Sequence, residues 1–211
     1  MAFAGCATVS DATDAHNRED RAADVINQMN SQPATAALLR NARAVLIVQD
    51  YAKAAFIIGE QGGGAVLLAQ HDGHWSDPAF YDVGGVSIGL QAGAEAGPVA
   101  YVLMTSRAVQ EFESRDSKTT LGADAGLTVV KYSSDTNIVS SFPTADVVVW
   151  TGTAGLFGGV ALDSSHVIAD QELDKAYHQG PSPVSQTPNG AVRKRLANEP
   201  QVALSTGLTR P

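Results

Sequence analysis

The chain has 211 residues, with 14 Lys and Arg against 22 Asp and Glu, 44% apolar side chains and a single Cys. That length fits one domain with appendages, and that apolar fraction excludes a disordered chain. One cysteine excludes a disulfide framework and Cys-cluster metal sites, and the formal net charge of −8 argues against general nucleic-acid binding. The charge is uneven: residues 1–179 carry 10 basic and 21 acidic side chains, whereas Arg193, Lys194, Arg195 and Arg210 face only Glu199 in residues 180–211.

In chain order, Phe3-Ala4-Gly5-Cys6 resembles a bacterial lipobox, whose cysteine receives diacylglycerol after signal-peptide cleavage. This leads us to expect an exported protein attached through Cys6. Residues 10–30 predict a polar helix capped by Ser10 or Asp11, with apolar positions gathering toward its end, acting as a spacer that docks by its last turn. A second short helix is expected over Ala34–Ala42. Then the pattern shortens to two branched apolar runs, Ala44–Val48 and Ala55–Ile58, read as separate strands. Gly59 to Gly64 reads as a turn or a close backbone approach. Ala65–Gln70 is the next strand, and His71-Asp72-Gly73-His74 has hairpin-turn chemistry.

From Gly85 to Gly93 small and bulky residues alternate, the period of a strand with one nearly bare face. Val99–Met104 predicts a strand, Ser106–Phe112 a short helix, Leu127–Val130, Val147–Thr151 and Leu156–Leu162 further strands, and Glu172–His178 a closing helix. The Pro-rich stretch after Gly180 reads as linker, with a short basic helix over Ala191–Ala197. The fold class expected is α+β: a twisted antiparallel, barrel-like sheet with flanking helices at the N- and C-terminal ends.

Six segments resemble, in order, the SYLF domain family. They are Ala42 to Val48, Lys53 to Gly59 with Gly62 to Gly64, Trp75 to Tyr81, Ser87 to Gly93, Leu121 to Asp124, and Gly155 to Val160. The likeness covers about residues 33–180. It departs at Ala55, where the family usually has glycine, and at Tyr177-His178-Gln179, which replaces a common Tyr-Tyr-Gly ending. The resemblance implies a phospholipid-binding module without catalysis or cofactor. In bacteria it also implies an envelope lipoprotein, lipid-anchored in the periplasm, most naturally at the outer membrane. The chain divides accordingly into a signal or lipobox remnant at 1–9, a helical spacer at 10–32, the SYLF-like domain at 33–180, and a linker with a basic tail at 181–211.

Several constellations were weighed for chemistry. Arg40, Arg43 and Lys53 are the only basic residues between positions 22 and 106 and bracket the first strand; on one face they would hold a lipid phosphate by charge-assisted hydrogen bonds. Gly85-Val86-Ser87-Ile88-Gly89 matches a nucleophile elbow, with His166 and His178 downstream, which offers a serine esterase as the minor alternative. The strand-like alternation argues against the helix that motif needs. His71, Asp72, His74 and Asp77 have metal-ligand chemistry but read as a solvated hairpin tip. Gly59-x-x-Gly62-x-Gly64 lacks the dinucleotide fingerprint. Trp75 and Phe80 read as core or turn anchors. The main competing function is an envelope scaffold that binds protein partners instead of lipid.

Overall fold

The computed structural model describes residues 4–55, 58–71, 74–88, 93–113, 119–120, 127–132, 145–152 and 165–179. Helices α1 (Ala4–Asn30) and α2 (Pro33–Arg40) precede strands β1 (Ala44–Ala55), β2 (Ile58–His71), β3 (His74–Trp75), β4 (Ala79–Ile88) and β5 (Gly93–Leu103). Helix α3 (Ser106–Glu113) follows, then β6 (Thr119–Thr120), β7 (Val129–Tyr132), β8 (Val147–Thr151), β9 (Ser165–Ala169) and α4 (Gln171–Gln179). The strands form one sheet in the order β6-β9-β4-β2-β1-β5-β8-β7, with β3 paired to β2 off this path. All pairings are antiparallel except β7 with β8. This is the expected α+β class with helices at both ends. Among the described residues β6 and β7 are the two outer strands, so the sheet is not closed into a barrel.

Both faces of the central strands are buried, which is why Ala44-Val45-Leu46-Ile47-Val48 is a continuous apolar run instead of an alternating one. Val45 and Ile47 point to the first face, where they join Val66, Leu68, Phe80 and Trp150 beneath Ile26, Met29, Leu38, Leu39 and Leu173 of the helices. Leu46 and Val48 point to the second face with Tyr51, Val99, Tyr101 and Val149, against which Ala108 of α3 packs. Trp75 and Phe80 are core residues, as expected.

Helix α1 differs from its expectation. It begins at Ala4 and is packed from Ala12 to Met29, so it is a layer of the fold and not a spacer docked by its last turn. The buried positions Ala12, Ala15, Glu19, Ala22, Ile26 and Met29 recur at alternating intervals of three and four, which keeps one stripe on the sheet and on α4. The stripe is faint in the sequence because half of it is alanine and one member is a glutamate. Small side chains nonetheless let a helix approach its neighbours closely.

The glycine-rich stretch also differs. Of the two runs expected as separate strands, Ala44–Val48 lies in β1, whereas of Ala55–Ile58 the first residue ends β1, the last opens β2 and residues 56–57 lie outside the described residues; β1 carries a register shift between Val48 and Ala52. Gly59 to Gly64 lie inside β2 and are not a turn. Their smallness is used against neighbours: a Cβ on Gly62 would lie 2.2 Å from the Val83 carbonyl oxygen, and one on Gly63 would lie 2.7 Å from the carbonyl of Asp50 at the irregular part of β1. A Cβ on Gly64 would lie 2.8 Å from the Arg18 guanidinium. The expected hairpin at 71–74 matches the pairing of His71 with His74. Residues 89–92 of the alternating run, the strand expected at 156–162, the linker and the basic helix at 191–197 lie outside the described residues.

Candidate functional site

Chain direction gathers basic side chains at one end of the sheet. Helix α2 closes at Arg40, and three residues later Arg43 leads into β1, its amide donating to the Leu103 carbonyl at 2.8 Å and its carbonyl accepting from Gln70 at 2.7 Å. Leu103 is the last residue of β5, opposite Ala44, and the chain continues from it into α3, bringing Arg107 to the same end. Arg40, Arg43 and Arg107 are all exposed. Among the described residues Arg43 makes no ion pair.

The turn that carries Arg107 is anchored by Asp146. Its carboxylate accepts from the Thr128 amide at 2.9 Å and from the Thr105 hydroxyl at 2.8 Å, and its backbone carbonyl accepts from Met104 at 2.8 Å. The Thr128 amide, above all, holds the Asp146 carboxyl below its ordinary range, with Thr105 and the Arg107 charge acting in the same direction.

Lys53 is not part of this group. It lies near the far end of β1, ten positions from Arg43, which at about 3.3 Å per residue is roughly 30 Å away. Its register partners are Gln61 and Glu95, so on that row the base stands across from an acid. Of the three basic residues expected to share a face, Arg40 and Arg43 stand at one end of the sheet together with Arg107, which the sequence did not single out, and Lys53 stands toward the other. The missed signal was the β5–α3 link: a strand that pairs antiparallel with β1 returns its C-terminal connection to the residue at which β1 begins.

The other polar cluster fastens α1. The Arg18 side chain, 16% exposed, reaches Asp82 at 3.1 Å, Asp14 at 3.5 Å and Asp170 at 3.8 Å, and donates to the Tyr81 carbonyl at 3.4 Å. It therefore ties α1 to β4 and to the β9–α4 junction across the space left by Gly64. At the next residue of α1, the buried Glu19 carboxylate accepts from the Tyr177 hydroxyl of α4 at 3.1 Å, and the Tyr177 ring packs on His16 and Phe80. Asp174 accepts from the Phe80 amide at 2.8 Å, and burial pushes its carboxyl above the ordinary range.

Ser87 lies within β4, paired with Gly59 in the ladder, and the next described segment is another strand. Among the described residues no helix follows Ser87 as a nucleophile elbow needs. His166 stands opposite Gly84, three positions along β4 from Ser87, or roughly 10 Å at the rise of a strand. Cys6 falls in the first turns of α1. Among the described residues no three His, Cys, Asp or Glu side chains gather as metal ligands, and no helix is long and apolar enough to cross a membrane.

A family model described as "Ysc84: Las17-binding protein actin regulator" matches residues 84–203. The chain belongs to the Ysc84 family. This is the SYLF domain family that the sequence segments resemble. Among curated relatives, an SH3 domain-containing protein of Schizosaccharomyces pombe is 27% identical over 167 residues, covering 77% of this chain and 38% of its own length. The SH3 domain-containing YSC84-like protein 1 of Bos taurus is 30% identical over 137 residues, covering 63% and 39%. LAS seventeen-binding protein 3 of Saccharomyces cerevisiae is 25% identical over 167 residues, covering 77% and 36%. The chain thus spans well under half the length of these relatives. No solved structure matches it. The Ysc84 match begins inside β4, so it includes Arg107 and leaves Arg40 and Arg43 N-terminal to it.

Proposed function

We propose that this Ysc84-family chain is a non-catalytic module that docks on anionic phospholipid through the end of its sheet that carries Arg40, Arg43 and Arg107. The observation that supports this reading is a group of three exposed arginines at one end of a net acidic molecule. Asp77 and Asp146 also stand at that end, so its excess is one positive charge, whereas the exposed carboxylates of Asp14, Asp50 and Asp82 lie on the side of α1 and the irregular part of β1. An acidic body is repelled by an anionic surface, so contact is confined to the basic end. A basic side chain held at such a surface contributes about 1 kcal/mol, so three account for about a hundredfold in partitioning. Acylation of Cys6 would tether the module to a bacterial envelope membrane, its periplasmic face, with the basic tail at 193–195 as a further point of contact.

The test is flotation with vesicles containing phosphatidylglycerol at low salt, using the chain without lipidation. The wild type floats, floats less as salt rises, and loses most of the effect in the combined variant Arg40→Glu, Arg43→Glu, Arg107→Glu. No flotation at low salt overturns the reading. A second reading, a scaffold that binds protein partners, is favoured by the family description and by the name of the yeast relative. It expects stable self-association or a defined protein complex, with no lipid preference, by light scattering.

A further inference from the structure

Two of the three arginines at the basic end are placed by main-chain ladder or core packing. Arg43 is fixed by its backbone bonds to Leu103 and Gln70, and Arg40 ends α2, whose Leu38 and Leu39 are buried in the core. Arg107 has a different support. It is the second residue of α3, a helix of eight residues, and a helix that short does not hold itself together in water. Its first turn buries Ala108 and leaves Ser106 and Arg107 exposed. An alanine methyl is a small anchor, so the direction in which α3 sets out depends on the hydrogen bonds at its start.

Those bonds converge on one carboxylate. Thr105 caps α3: its hydroxyl oxygen accepts from the Ala108 amide at 3.2 Å and its carbonyl accepts from the Val109 amide at 3.2 Å. The same hydroxyl donates to Asp146 Oδ1 at 2.8 Å, while Asp146 Oδ2 accepts from the Thr128 amide at 2.9 Å. Asp146 is itself held firmly. Its carbonyl accepts from the Met104 amide and its amide donates to the Thr128 carbonyl, both at 2.8 Å, and its neighbours Ala145 and Val147 are buried. The start of β8 is thus connected through the carboxylate and the Thr105 hydroxyl to the turn that carries Arg107. Two acceptor oxygens are needed at once, and an ionised acceptor bonds more strongly than a neutral one. The Thr128 amide keeps the carboxyl below its ordinary range, so the acceptor persists as pH falls. By charge alone Asp146 opposes docking, because it reduces the positive excess of this end.

We propose that Asp146 is a positioning residue for phospholipid docking: through the Thr105 hydroxyl it fixes the first turn of α3 and so holds Arg107 at the same anionic surface as Arg40 and Arg43. The proposal rests on the lipid-binding reading above and deepens it by naming the group that sets the geometry of the basic end. The carboxylate acts in two ways of opposite sign. Its charge weakens attraction to the membrane, and its hydrogen bonds order the arginine that makes the contact. Opposite signs allow the two to be separated by experiment.

The experiment measures partitioning of the full chain, without lipidation, onto phosphatidylglycerol vesicles by flotation at low salt. Arg107→Gln and Arg43→Gln are each tested alone and together with Thr105→Val, which deletes both hydroxyl bonds and leaves the charge unchanged. Thr105→Val by itself is expected to weaken partitioning by about two- to fivefold. Arg107→Gln is expected to weaken it about fivefold in the wild type and less than about twofold on top of Thr105→Val, whereas Arg43→Gln costs about the same in both backgrounds. That unchanged Arg43 effect, with thermal melts, establishes that the Thr105→Val chain is folded. A second comparison uses Asp146→Asn, which keeps an acceptor for the Thr128 amide, and Asp146→Ala, which keeps none. Both remove the charge, and Asn is expected to partition about threefold or more better than Ala. An Arg107→Gln effect of equal size with and without Thr105→Val, or equal partitioning of Asp146→Asn and Asp146→Ala, overturns the proposal and leaves the surface reading standing. No flotation of the wild type, or flotation unmoved by the combined arginine variant, overturns the surface reading and the proposal with it.

Discussion

Removing the Arg18 side chain should loosen α1 from the sheet, and it should do so in a way that depends on Gly64. Arg18→Ala deletes ion pairs to Asp14, Asp82 and Asp170 at 3.5, 3.1 and 3.8 Å. Those carboxylates are 50, 59 and 21% exposed, so solvent screens them and each pair is of the order of 0.2–1 kcal/mol. With the packing of the arginine stem, the loss is about 2 kcal/mol. For a chain of this size that lowers the melting midpoint by about 4–8 °C. Gly64→Ala places a methyl 2.8 Å from Arg18 Nη1 and 2.9 Å from its Cζ. The guanidinium is the mobile end of its side chain, so it moves away and gives up Asp82 and Asp170. The cost is about 1 kcal/mol, offset by the roughly 0.5–1 kcal/mol that alanine gains over glycine inside a strand. In the Arg18→Ala background nothing remains to displace, and Gly64→Ala becomes neutral or stabilising by about 0.5 kcal/mol. The double-mutant cycle, measured by urea denaturation, should therefore show a coupling of about 1 kcal/mol that shrinks with added salt. Additivity within about 0.5 kcal/mol would refute the view that Gly64 is small in order to seat Arg18.

Three further outcomes follow from the same geometry. Gly62→Ala meets the Val83 carbonyl oxygen at 2.2 Å, a backbone atom that cannot swing aside, so it destabilises by about 2 kcal/mol or more with or without Arg18, read by thermal melting. Asp174→Asn keeps an acceptor for the Phe80 amide and removes a carboxyl whose ionisation burial disfavours. A raised folded value makes this acid contribute most when it is protonated, and that contribution is lost as pH rises through the unfolded and then the folded value. Asn should thus leave stability unchanged or higher at neutral pH, whereas Asp174→Ala loses about 1 kcal/mol by leaving the amide unpaired; urea melts at neutral pH compare them. At Asp146 the sign is reversed: its lowered value gives stability at neutral pH that is lost as pH falls through the folded value. Acid titration of Asp146→Asn should show a shallower loss of stability than wild type.

The sequence by itself determined the elements that depend on local pattern. β8 was read from Val147-Val148-Val149-Trp150-Thr151, α3 over Ser106–Phe112 and α4 over Glu172–His178, because such patterns act over a few residues; the cap of α3, expected at Ser106, is Thr105, whose hydroxyl oxygen accepts from the Ala108 amide. It also carried the family, through six short segments whose order mattered more than any one of them. Arg40 and Arg43 were legible as neighbours because only two residues separate them. What the tertiary structure decided were the questions that residues distant in the chain settle together. The glycines at 62–64 read locally as a turn, and only Val83, Asp50 and Arg18 show that they clear space inside a strand. The alanine stripe of α1 looked too weak to pack until α4 and the sheet supplied a close surface. Lys53 seemed to belong with Arg43 because a bracketed strand was taken as five residues long, and the twelve-residue β1 sets them at opposite ends. Arg107, 64 positions beyond Arg43 in the chain, joined it because antiparallel pairing returns the end of β5 to the start of β1. Side-chain pattern reaches a few residues along the chain, and strand pairing is what brings distant charges to one end of a sheet.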